Sequence, residues 1–239
     1  NSATNGNGGA IENLRIITNI TGNFNGNSAT NGNGGAIENI RTITNITGNF
    51  VGNATTSTSD LVDGGAIFNN TNSTNVMNIN GDFISNSATQ TTTAHGGAIY
   101  NNAGKIYVTG DFKYNFANAT ENTDTGSIDV RGGAIYNKGE INIKAFDRNI
   151  EFKGNYLNAA DVMAEHHPIL YGGAICNEGT VGLYAGAGYE ITFVGNLEGL
   201  PSGQDATNAK DIDGIYNDST GVLMINGDGI NAYAGTVNL

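Results

Sequence analysis

The residues of this chain that could do chemistry are few: three histidines, one cysteine and a scatter of carboxylates and basic side chains. His166 and His167 stand near Asp161 and Glu165, and His95 abuts Gly96. A zinc site or a general base draws on such residues, but only when partners converge from elsewhere in the chain. No recognisable ligand spacing links them, so the pair is expected in a solvated loop. Cys176 has no basic neighbour in sequence to lower its pKa and is expected to be inert. Asp82 and Asp111 each precede a Phe at the same place in a repeated pattern. Stacked carboxylates repel and could share a Ca²⁺, yet two ligands are too few for a site. They are expected at solvated corners. The basic residues, from Arg15 and Arg41 to Lys105, Lys144 and Lys210, share no register with Asp or Glu. A polysaccharide lyase or hydrolase would need such a register in a groove on one strand face. The expectation is therefore a chain that is not an enzyme, with no catalytic residue, cofactor or metal. A carbohydrate-active β-helix enzyme is the alternative.

The elements that would position any of these residues come from a repeat. Gly-Gly-Ala-Ile recurs at Gly8, Gly34, Gly64, Gly96, Gly132 and Gly172, and a decayed copy runs from Ile212 to Asn217. It alternates with Phe-x-x-Asn, beginning at Phe24, Phe50, Phe83, Phe112, Phe152 and Phe193. The tetrapeptides lie 26, 30, 32, 36 and 40 residues apart. Self-similarity at such a period marks a solenoid or array. In the unit Gly96–Asn115, a short strand after Gly97 is followed by a turn at Asn102-Ala103-Gly104. Ile106 and Val108 then alternate with Lys105, Tyr107 and Thr109, the period of a half-buried strand, and Phe112-Lys113-Tyr114 is a third extended piece. The expected fold is all-β: a single-stranded, right-handed parallel β-helix of about seven coils with three short strands each. Coils stacked about 4.8 Å apart would make one domain over residues 1–239, a rod of roughly 34 Å.

Charge assigns the faces. The variable residue of Gly-Gly-Ala-Ile-x-Asn is Glu12, Glu38, Phe68, Tyr100, Tyr136, Cys176 and Tyr216. An unpaired buried carboxylate is costly, so this face should meet solvent or a covering loop. The neighbouring Ile11, Ile37, Ile67, Ile99, Ile135, Ile175 and Ile215 then point inward as one aliphatic stack. The following Asn, from Asn13 to Asn217, falls at a corner, where its amide can donate and accept along a ladder. The constant Ala beside the outward position calls for a loop packed over that face.

The chain has 239 residues, a net charge of −12 and a single cysteine. Ten scattered Lys and Arg do not supply the concentrated positive charge that phosphate backbones need, so nucleic acid is excluded as a partner. One cysteine excludes an intrachain disulfide and a cysteine-rich zinc site. Asn1–Gly26 and Asn27–Gly52 differ at only three positions, Leu14/Ile40, Ile16/Thr42 and Asn25/Val51. An array that begins in mid-pattern is expected to be a piece of a longer one, with further repeats upstream. An edge opened between coils could template end-to-end self-association.

Gly34-Gly35-Ala36-Ile37 with Phe50 and Asn53, Gly96-Gly97-Ala98-Ile99 with Phe112 and Asn115, and Gly172-Gly173-Ala174-Ile175 with Phe193 and Asn196 carry a resemblance. This pairing resembles the repeats of chlamydial-type polymorphic membrane proteins and related bacterial autotransporter passengers. It spans roughly Gly8 to Asn217. The resemblance implies a right-handed β-helix, secreted or displayed at the cell surface and outer membrane, carried by a C-terminal barrel and used to attach to cells. Its Gly and Phe positions are structural and none is catalytic. The implied partner is a receptor or glycan on a host or bacterial cell, with membrane anchoring only through parts outside this chain. A purely structural spacer or self-associating fibre is a further alternative.

The contact residues of such a rod are sought in its loops. Residues 28–33, 54–63, 87–95, 116–131, 156–171 and 197–211 lengthen along the chain while the rest of each unit hardly changes. Long loops on one side of a rigid scaffold commonly carry binding. A stripe of Phe68, Tyr100, Tyr136 and Tyr216, interrupted by Cys176, is a second candidate for partner contact. The competing and favoured expectation is that the loops fold over it.

Overall fold

The computed structural model describes the chain except residues 59–61, 73, 121–127, 160–168, 199–209, 212–213 and 227–232, and only the backbone of 198, 210 and 211. The chain is a parallel β-helix of seven coils, and no helix occurs among the described residues. Sheet 1 stacks the strands that follow the glycine pairs, from Ile11–Asn13 and Ile37–Asn39 to Ile215–Asn217. Sheet 2 runs from Ile16–Thr21 and Thr42–Thr47 to Val222–Ile225. Sheet 3 runs from Phe24–Asn25 to Thr236–Asn238, and sheet 4 from Ser2–Thr4 to Leu197–Glu198. Equivalent repeat positions are paired in register: Ile37 with Ile67, Phe50 with Phe83, Asn101 with Asn137. Sheet 4 ends in an antiparallel pairing of Lys210–Asp211 with Leu197–Glu198.

The expectation of three strands per coil is corrected to four, and to five in the longer coils. Segments such as Ser28–Thr30 read as polar loop because Ser, Ala and Thr carry no apolar period. Yet they pair backbone to backbone as sheet 4, with Ala29 wholly buried. Sheet 5, made of Val62–Asp63, Thr93–His95, Asp129–Arg131 and Ile169–Tyr171, exists only where the repeat has outgrown 26 residues. The extra length thus becomes a strand, packed on sheet 4 through Ala88, Ala94, Ala117, Val130 and Leu157.

The main core is a column of Phe rings beside columns of aliphatic side chains. Phe24, Phe50, Phe83, Phe112, Phe152 and Phe193 stack face to face with centroids 4.5–4.9 Å apart and planes within 2–9°. The separation equals the coil spacing, so identical rings in register must stack. Ile37, Ile67, Ile99, Ile135 and Ile175 are wholly buried there. Two asparagine ladders close the corners. From Asn13 to Asn217, each Nδ2 donates to Oδ1 of the next coil at 2.6–2.9 Å. From Asn1 to Asn196 the motif Phe-x-x-Asn does the same at 2.8–3.0 Å.

The glycine pair has two separate causes. Gly34 has φ +63°, and a Cβ there would lie 2.1 Å from the Ile37 carbonyl oxygen. A Cβ on Gly35 would lie 2.1 Å from the Gly65 oxygen of the next coil, so no side chain fits between coils. The amides of Ala36 and Ile37 both donate to the Ala66 oxygen at 2.9 Å. The covering loop that the constant alanine called for is corrected: burial in the core, not a loop, explains it. Ala36, Ala66, Ala98, Ala134 and Ala174 turn into the main core, in one cluster with the Phe column.

Candidate functional surfaces

The stripe on the outer face of sheet 1 is not an open surface. Phe68, Tyr100 and Tyr136 are buried, Cys176 is wholly so, and Tyr216 is half-buried with its ring stacked 4.0 Å from that of Tyr171. Sheet 5 covers them. Its residues Asp63, His95, Arg131 and Tyr171 occupy one register position and lie over the stripe. Partner contact through Phe68, Tyr100 and Tyr136 is thereby corrected, because lengthening the coil folded a strand across them. Glu38, second in the row after the exposed Glu12, is also buried. Desolvation raises its pKa, as does the Glu12 charge, against hydrogen bonds from Asn33 and Asn7.

The covering layer is held by charge and rings. His95 Nδ1 lies 2.9 Å from Asp63 Oδ1, and its ring packs 4.8 Å from that of Tyr136. Arg131 donates from Nε and Nη2 to the Asp129 carboxylate at 2.7 and 3.0 Å, and from Nη1 to Glu178. Tyr136 donates its hydroxyl to Glu178 at 2.8 Å, and the guanidinium sits 5.7 Å from its ring. Burial pushes the Tyr136 phenol up, and its hydrogen bond to Glu178 adds to this. Burial likewise raises the Tyr100 phenol and the Cys176 thiol. A protonated, enclosed thiol is a poor nucleophile, so this cluster is a clamp between two sheets. Sequence reasoning missed Asp63, Arg131 and Glu178. A signal was present, because Asp63, His95, Arg131 and Tyr171 each immediately precede a glycine pair.

Asp82 and Asp111 do stack, but a protein cation neutralises them. Arg148 reaches Asp82 at 2.9 Å and Asp111 at 3.0 Å, and Lys113 lies 2.9 Å from Asp111. Each aspartate also accepts a backbone N–H from the next coil at 2.9 Å, continuing a row that begins at Asn23 and Asn49. They therefore sit in an ion-pair network rather than at bare solvated corners. The basic residues do share register with acids: Lys105 pairs with Glu140 in the neighbouring strand, with Nζ 2.7 Å from the carboxylate. Among the described residues no group of three or more His, Cys, Asp or Glu is placed to hold a metal ion. Asp161, Glu165, His166 and His167 lie outside the described residues.

The lengthening segments are partly strands. Residues 116–131 contain Phe116–Ala119 of sheet 4 and Asp129–Arg131 of sheet 5, and 156–171 contain Tyr156–Ala159 and Ile169–Tyr171. The intervening 121–127 and 160–168, together with 199–209, lie outside the described residues. No family model, curated protein or solved structure matches the chain.

Proposed function

We propose that this chain is a section of a surface-displayed or secreted adhesin-type autotransporter passenger, a stiff rod that holds variable segments out for attachment to cells. The observation that carries the reading is where length variation falls. Sheets 1, 2 and 3 keep one strand per coil throughout, while extra residues enter at the corners, between the strands of sheets 4 and 5 from the second coil on and also at 71–75, 146–149, 186–189 and 226–235. A scaffold that holds three sheets constant while its corners vary in length separates rigidity from recognition. The motif pairing, which resembles polymorphic membrane proteins, supports the same reading and a location at the cell surface or outer membrane. Beads coated with the chain should adhere to epithelial or bacterial cells. Replacing residues 121–127, 160–168 and 199–209 with short Gly-Ser links should weaken adhesion while leaving the far-UV dichroism unchanged. Undiminished adhesion by the shortened rod removes these segments from the account.

A further inference from the structure

The outer face of sheet 2, a different surface from the variable segments, carries a groove of about 400 Å³ along the rod axis. Asn19, Asn45 and Asn78 form one wall in successive coils, continued by Tyr107, and Lys144 stands at its far end one coil on. At one coil per about 4.8 Å, the groove is about 19 Å long. Three features restrict what it can hold.

The first is the cation. Lys105, Lys113, Arg131, Lys138, Arg148 and Lys153 all form ion pairs with carboxylates. Lys144 forms none among the described residues, and Glu140, the acid that influences it most, is held by Lys105 at 2.7 Å. Its ammonium rests 3.8 Å from the centre of the Tyr107 ring and is half-buried. Burial, the larger influence, lowers its pKa against the attraction of Glu140. A partly desolvated cation with only a ring for company favours an arriving anion.

The second is the amide ladder. Asn45 donates to Asn19 at 2.9 Å and Asn78 to Asn45 at 3.2 Å. Unlike the corner ladders this one faces solvent, and an amide has two donors and two acceptor lone pairs. Asn19 and Asn45 keep capacity for a ligand that both donates and accepts, as hydroxyl groups do, while Asn78, whose Nδ2 also donates to the Thr44 carbonyl oxygen at 3.2 Å, keeps its Oδ1 as an acceptor. Thr47 and Thr109 line the groove with further hydroxyls. The third is the lining, in which four asparagines, two threonines and a lysine outnumber two buried isoleucines, while the half-exposed Tyr107 ring offers a flat surface to a sugar C–H face. No carboxylate lines the groove, so it lacks the carboxylate pair that glycoside hydrolysis uses.

We propose that this groove binds an acidic glycan, with Lys144 pairing to a uronate-type carboxylate and Asn19, Asn45 and Asn78 reading the sugar hydroxyls. The test is calorimetric titration of the full chain with an oligogalacturonate, with neutral malto-oligosaccharide of the same length, and with poly-L-glutamate. Oligogalacturonate should bind, and the neutral oligosaccharide about tenfold more weakly, since one charge-assisted contact is worth that factor. Lys144→Gln should weaken oligogalacturonate to the neutral level and flatten its salt dependence. Asn45→Ala, which removes the middle rung, should weaken both sugars. Both variants should keep the far-UV dichroism and melting temperature. Replacing residues 121–127 and 160–168 should leave the titration unchanged, so loss of cell adhesion in that variant bears on the adhesin reading alone. The proposal is overturned if oligogalacturonate does not bind, if a folded Lys144→Gln protein binds it equally well, or if poly-L-glutamate binds as tightly as the sugar acid.

Discussion

Removal of one rung from a buried asparagine ladder should cost more than any exposed contact in the rod, and Asn86 is the position to test. Its Nδ2 donates to Asn115 Oδ1 and to the Phe50 carbonyl oxygen, both at 2.9 Å. Its Oδ1 accepts from the Asn53 backbone N–H at 3.0 Å and from Asn53 Nδ2 at 2.9 Å. The residue is wholly buried, so no water replaces these partners on truncation. Asn86→Ala takes the acceptor from the Asn53 N–H and a donor from the Phe50 carbonyl. At about 1–3 kcal/mol for each buried group left unsatisfied, the loss should be about 2–6 kcal/mol. Asn45→Ala breaks a solvent-facing ladder of the same chemistry and should stay within about 0.5 kcal/mol. Urea unfolding followed by far-UV dichroism gives the comparison, and hydrogen exchange at the Asn53 amide localises it. Because coils contact only their neighbours, the loss should be concentrated in the second to fourth coils. Equal stabilities for the two variants would refute the reasoning, since burial would then add nothing to an amide ladder.

Three further perturbations follow from the same geometry. Gly97→Ala places a Cβ 2.1 Å from the Gly133 oxygen and 2.5 Å from the Phe116 carbonyl carbon, and should cost more than about 4 kcal/mol, read as lost soluble yield or a collapsed melting temperature. Gly52→Ala is the control: its φ is +62° with open space around the position, so it should cost only about 1–2 kcal/mol. Stability should also fall as pH climbs past the ordinary values of 9.0 for a thiol and 10.0 for a phenol. Cys176, Tyr100 and Tyr136 have raised pKa values in the fold, so the unfolded chain releases their protons first and alkali favours it. Tyr100→Phe with Tyr136→Phe should blunt that fall. A thiol reagent should label Cys176 only after denaturation, and rapid labelling of the native chain would contradict its enclosure.

Much of the architecture is legible in the chain itself. The spacing of Gly-Gly-Ala-Ile and Phe-x-x-Asn determines a coil, because residues one repeat apart must lie one strand apart when identical positions stack. The inward Ile column, the Phe core and the Asn corner follow from those types at those positions, and each is found. Sheet 4 and sheet 5 were not legible. Ser28-Ala29-Thr30 and Thr93-Ala94-His95 are too short and polar to show a period, and they become strands only because the coil beneath offers its backbone. The candidate sites depended still more on tertiary structure. Tyr136 and Glu178 are 42 residues apart, and Arg148 meets Asp82 and Asp111 from another coil. Single-sequence spacing carries the period of the solenoid, but which outward side chains meet depends on how each longer coil folds its extra residues. That choice covered the aromatic stripe and left Lys144 beside Tyr107 on an open face.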